Sequence, residues 1–164
     1  LGEDDQTLEG VVLAELIAAE ASLAVVETFT AGQIAGRIAH LPGAERIFRR
    51  GTVVRDLAQL VPHWTVGELT QEITEQVADA TRRHADATHA LAVLIDLDEG
   101  TDRIDFGGSI HIAIATESGT AFRRSRILGG RDWVRLGAVE LGLDCLRRFL
   151  QHLPVVERID FEKT

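Results

Sequence analysis

The run from Leu23 to Gly32 constrains the fold of this chain most tightly. Four apolar residues, Leu23 to Val26, pass directly into Glu27, the threonines Thr28 and Thr30, and the small residues Ala31 and Gly32. So short and continuous an apolar run reads as a strand buried on both faces, and helical spacing lies on either side of it. Before it, Leu8, Val11, Val12, Leu13, Leu16 and Ile17 predict a helix over about Thr7 to Glu20. After it, Ile34 and Ile38 share one face of a helix predicted over Ala31 to Leu41, which Pro42-Gly43 ends. A buried strand between two helices is the repeating unit of an α/β sheet.

The rest of the chain extends that unit. An amphipathic turn around Glu45 to Arg49 leads to a second strand, Gly51 to Arg55, and Pro62-His63 reads as loop. Thr70 to His84 is the clearest helix, with Ile73, Val77 and Ala80 inward and Glu72, Glu75, Asp79 and Arg83 outward. A third strand, His89 to Asp96, is followed by an acidic loop from Asp98 to Gly108. Ser109 to Thr116 and Ala121 to Leu128 then alternate around Glu117-Ser118-Gly119 as an antiparallel hairpin. A last helix runs from Arg131-Asp132 to about Gln151. The sum is a three-layer α/β/α domain with a mixed sheet, parallel at first and antiparallel at the hairpin. One domain is expected over residues 1–164, with its core at about 8–150, an acidic lead-in at 1–6 and a charged tail at 152–164.

Charge and composition exclude several classes of function. A net charge of −9 disfavours nucleic acid as a partner, because phosphate neutralisation needs a basic surface. Arg49-Arg50 and Arg123-Arg124-Ser125-Arg126 read as solvated strand or turn faces or small-anion contacts. No apolar run approaches the roughly 20 residues of a membrane helix, and no signal peptide is evident, so no membrane contact and a cytoplasmic location are expected. Cys145 is the single cysteine and reads as a buried structural thiol. The sole lysine is Lys163, and there is no tyrosine, so a hydroxyl nucleophile lacks its common basic helpers. Trp133 reads first as core packing, with a place in a cleft or subunit contact as the alternative. An exposed edge of the hairpin is a surface that a second copy would cover, and a homo-oligomer is expected.

The junction at Val26 to Gly32 is the candidate site, since a helix start is hospitable to an anion or a developing oxyanion. Its residues, with others further on, resemble the CinA C-terminal domain, the competence/damage-inducible family. Val26-Glu27-Thr28-Phe29-Thr30-Ala31-Gly32 is similar to the family's Ala-Glu-Ser-x-Thr-Gly-Gly, and Leu41-Pro42-Gly43-Ala44 with Phe48 to its Val-Pro-Gly-Ala-Ser-x-x-Phe. Gly51-Thr52-Val53-Val54 follows in place. Leu69-Thr70-Gln71-Glu72 resembles its Val-Ser-x-Glu, Phe106-Gly107-Gly108-Ser109-Ile110 its Val-Gly-Thr-Val, and Arg131-Asp132-Trp133-Val134-Arg135 its Arg-x-x-Ile/Val-Arg. The shared order and spacing carry the resemblance over about residues 8 to 150.

The resemblance implies hydrolysis of the nicotinamide mononucleotide carboxamide, without metal or other cofactor, by a serine assisted by a tyrosine and a lysine. In this chain Thr28 stands at the serine, Arg55 at the tyrosine and Leu60 near the lysine. Thr28 and Thr30 are then the catalytic candidates, and Glu27, Ala31, Gly32, Arg55, Arg131 and Arg135 the candidates for holding a small nucleotide-like ligand. Threonine still needs a proton acceptor, which arginine cannot supply. Glu27, Asp56, His63, His89 and His111 are the nearby candidates, none at a motif-like spacing. The family's Thr-Gly-x-x-Gly-Pro-type loop is replaced by an acidic one, in which Asp96, Asp98 and Asp102 are candidates for a cation and an obstacle to phosphate. Two readings follow: a domain that has kept the fold and lost or weakened hydrolysis, serving in binding or regulation, or a working amidohydrolase with Thr28 as nucleophile.

Overall fold

The computed structural model describes residues 7–60, 69–97 and 107–156. Helix α1 (Leu8–Ala18) starts where the Thr7 hydroxyl accepts the Gly10 N–H at 3.0 Å, a side-chain cap that satisfies one orphan donor. Strand β1 (Leu23–Thr28), helix α2 (Gln33–Ala39) and strand β2 (Phe48–Val54) follow. Helix α3 (Gln71–Ala85) is capped by Thr70, whose hydroxyl accepts the Ile73 N–H at 3.1 Å, and leaves through Asp86 in the left-handed region. Strands β3 (His89–Leu97), β4 (Gly108–Thr116) and β5 (Gly119–Ile127) lead to helix α4 (Arg131–Leu150). The elements expected from periodicity are present, with shifted ends. Helix α2 begins later than Ala31 because Ala31 and Gly32 are left-handed, and β2 begins at Phe48, ahead of Gly51.

The sheet order is β2-β1-β3-β4-β5, with β1 parallel to β2 and β3, and β3-β4 and β4-β5 antiparallel. Its two faces differ in side-chain size. Leu23, Val25, Leu91, Val93, Ile110, Ile112 and Ile114 face α1, α2 and α4 and build the main core. Ala24, Val26, Ala90, Ala92, Ala113 and Ala115 alternate with them and face α3. Small residues let the single helix of that layer lie close, while large branched ones fill the thicker side. Helix α4 crosses β3 at Gly142, where an added Cβ would stand 2.8 Å from Val93 Cγ2.

Candidate functional site

From β1 the chain departs to β2 on one side, and from β3 it departs to β4 on the other. The carboxyl ends of β1 and β3 therefore flank the switch point of the sheet, where open α/β folds bind ligands. Thr28 ends β1 there and is only 1% exposed. Its Oγ1 accepts the Ile95 N–H at 2.9 Å, which carries the β1–β3 pairing one step beyond the last backbone partners, Glu27 and Val93. The backbone then turns sharply, with Phe29 at φ +68°, Ala31 at +58° and Gly32 at +83°. For Phe29 and Ala31 the left-handed region costs about 1–2 kcal/mol each. The turn from Phe29 to Gly32 joins the end of β1 to the start of α2, where the Gln33 N–H donates to the Thr30 carbonyl at 3.0 Å.

Glu27 points to the opposite face and is completely buried. Its carboxylate accepts the Thr30 hydroxyl, the Ile34 N–H at 3.2 Å and the Ala35 N–H at 2.9 Å. This corrects the expectation that the start of α2 is open to an anion: the chain's own carboxylate already occupies it. Neither Glu27 nor Thr30 is turned to a ligand, and Glu27 does not reach the Thr28 oxygen. Three charge-assisted bonds to one buried carboxylate, each contributing about 1.5–3 kcal/mol, make it a structural cap.

The arginines divide differently from the sequence expectation. Arg55 is 82% exposed and lies along Asp56, at 3.0 Å, so both groups are committed to each other at the surface. Arg131 opens α4 at the surface. Arg135 turns toward the elbow. Its Nε–H donates to the Phe29 carbonyl at 3.2 Å, its guanidinium lies 4.9 Å from the Phe29 ring centroid, and Nη1 pairs with Asp132 at 2.7 Å. Leu60, near the place where the resemblance puts a lysine, packs against Leu57, Leu69 and Leu94.

No candidate base among the described residues is hydrogen-bonded to the Thr28 oxygen. His111 lies opposite Leu94 on β4, and Leu94, one step past the Glu27–Val93 pair, stands between it and Thr28. Burial, with the Arg124 charge beside it, pushes the His111 imidazole down to about 4, and its buried Nδ1 has no partner among the described residues. His89 starts β3, at the far end from the switch point, with Nδ1 2.8 Å from the Thr88 hydroxyl. His63 lies outside the described residues. Asp96 is a buried strand residue opposite Ser109; Asp98 and Asp102, the other cation candidates, lie outside the described residues. Among the described residues no group of three His, Cys, Asp or Glu side chains could hold a metal.

Two further positions differ from expectation. Arg123, read as a solvated strand face, is buried, and its Nη1 donates to the Val155 carbonyl at 2.8 Å, where the segment after α4 returns over β5. Sequence alternation gave no sign of this, because the covering residues come from 32 positions away. Trp133, read first as core, is 53% exposed, next to the equally exposed Leu136. Cys145 is buried as expected, and burial raises its thiol to about 11, leaving it protonated and inert.

A five-stranded mixed sheet between one helix and three, with a strained threonine elbow at its switch point, defines an open-sheet α/β domain. Among the described residues no helix is long and apolar enough to cross a membrane. The chain belongs to the CinA C-terminal domain family, whose model matches residues 5–150. It is 35% identical over 161 residues to a CinA-like protein of Frankia casuarinae, covering 93% of this chain and 37% of that protein. A CinA-like protein of Acidobacterium capsulatum is 31% identical, with 88% and 37% covered. The chain thus spans well under half the length of these relatives. In fold it is similar to the competence or damage-inducible protein of Enterobacter asburiae, with TM-score 0.71, 17% identity, and 89% and 99% of the two chains covered. The CinA superfamily protein of Enterobacter cloacae gives TM-score 0.72 at 21% identity, covering 89% and 95%.

Proposed function

We propose that this chain is a CinA-type domain that binds a small nucleotide-like ligand at the Thr28 elbow and has lost hydrolysis of its amide. Nicotinamide mononucleotide is the first candidate ligand, on the resemblance of the elbow sequence, and the role is binding or regulatory. One observation carries the reading: the Thr28 oxygen accepts the Ile95 N–H, and no carboxylate, imidazole or amine among the described residues is hydrogen-bonded to it to take its proton. Attack by a hydroxyl needs such a group. The surface pairing of Arg55 and the apolar packing of Leu60 support the same reading.

The test is ammonia release from nicotinamide mononucleotide, beside calorimetric titration of the same ligand. Binding is expected, with ammonia release by the wild type no faster than by Thr28→Ala. Restoring the apparatus in Thr28→Ser with Arg55→Tyr and Leu60→Lys is expected to bring turnover back. Wild-type turnover that Thr28→Ala abolishes would establish Thr28 as a working nucleophile and overturn the reading.

A further inference from the structure

Arg135 is placed to do something that neither the resemblance nor its position in α4 assigns to it. The elbow's first left-handed residue, Phe29, is held from 106 positions away by the same guanidinium at two points. The Nε–H bonds its carbonyl at 3.2 Å, and the cationic plane lies over its ring at 4.9 Å. A peptide unit cannot rotate freely when its oxygen and its side chain are fixed by one rigid planar group. The guanidinium is itself held from the other side by Asp132, one helical turn earlier, at 2.7 Å. Lysine could not reproduce this, because an ammonium offers no plane to lie on the ring while donating in-plane to the carbonyl. A ligand anion that recruited Arg135 would have to compete with these contacts, so the residue is poorly suited to be a ligand arm.

We propose that Arg135 is the positioning residue of the elbow: it holds Phe29 left-handed and so fixes the course of the backbone from Thr28 to Gly32. This rests on the reading of the elbow as a binding site, and it adds that the site is assembled from α4 as well as from β1 and α2. Order at the elbow then depends on a helix that bears the exposed Trp133 and Leu136 on the same two turns.

The test uses ¹⁵N relaxation on the ligand-free protein, which separates it from any question of what binds. Wild-type amides of Phe29 to Gly32 are expected at order parameters of about 0.85, falling below about 0.6 in Arg135→Gln and Arg135→Ala. Amides of Leu141 to Leu146 on the same helix stay unchanged. Millimolar guanidinium is expected to restore the elbow in Arg135→Ala, an effect that general destabilisation would not produce. Arg135→Lys, which keeps the charge and folds most readily, is expected to fall between. Unchanged elbow order in Arg135→Gln and Arg135→Lys, or equal loosening along the whole of α4, overturns the proposal. If nicotinamide mononucleotide fails to bind while the elbow loosens as described, the functional reading falls and the positioning role stands.

Discussion

Ala31 sits at φ +58°, where its Cβ crowds the following carbonyl, and the family pattern it resembles carries glycine at this place. Ala31→Gly relieves that strain but also frees the unfolded chain. The strain outweighs the entropy, so a gain of about 1 kcal/mol is expected, read as a higher urea midpoint at unchanged m-value. Glu27 tests the opposite kind of site. In Glu27→Gln one carboxylate oxygen becomes an NH₂ that cannot accept from the N–H groups of α2 or the Thr30 hydroxyl. Leaving a buried donor facing donors costs about 2–4 kcal/mol, and the same denaturation experiment should show the loss. Substitution by Ala at an ordinary solvated glutamate would change stability by less than about 0.5 kcal/mol, so a small effect here would contradict the capping role.

At the scale of elements, two glycines inside helices have opposite demands. Gly36 in α2 has nothing within 4 Å of an added Cβ, whereas at Gly142 in α4 that Cβ meets Val93 Cγ2 at 2.8 Å. Helix propensity favours alanine at both by about 1 kcal/mol. Gly36→Ala is therefore expected to stabilise by about that amount. At Gly142 the contact falls on a β-branched side chain in a central strand, which is stiff, so overpacking of about 1–3 kcal/mol outweighs the propensity gain. Differential scanning calorimetry should move the two melting temperatures in opposite directions, and a common direction would mean that α4 does not bear on β3 as described. Elements of this kind were legible in the sequence because their signals are periodic and local. Leu91, Val93 and Ile95 alternate with Ala90, Ala92 and Leu94 along β3. What periodicity could not give was the contact at Gly142, which depends on two segments about 50 residues apart.

At the scale of the molecule, the candidate site was half legible. The elbow and its place at the end of β1 follow from the junction of apolar strand and hydroxyl residues. The direction of each side chain there does not, because alternation sends Glu27 and Thr28 to opposite faces and tertiary contacts then choose their partners. Arg123 was misread because a charged residue in sequence carries no mark of being covered by a distant segment. His111 shows how such covering becomes a property of the whole fold. Burial, with Arg124 beside it, lowers its imidazole from 6.5 to about 4, and burial also lowers His89. Between those two values the unfolded chain binds more protons than the folded one, so stability is full above pH 6.5 and is lost as pH falls toward 4. For His111 the loss is on the order of 3 kcal/mol. From the acid end of this window downward the depressed carboxyls of Glu9, beside Arg37, and Asp144, beside Arg148 and Arg147, add loss of the same sign as they protonate. Urea midpoints measured from pH 7 to 4.5 should therefore fall steeply in the wild type. In His111→Leu most of that slope disappears, with a remainder that His89→Asn removes. Parallel slopes in wild type and His111→Leu would show that the imidazole is not buried as neutral base between Leu94 and Arg124.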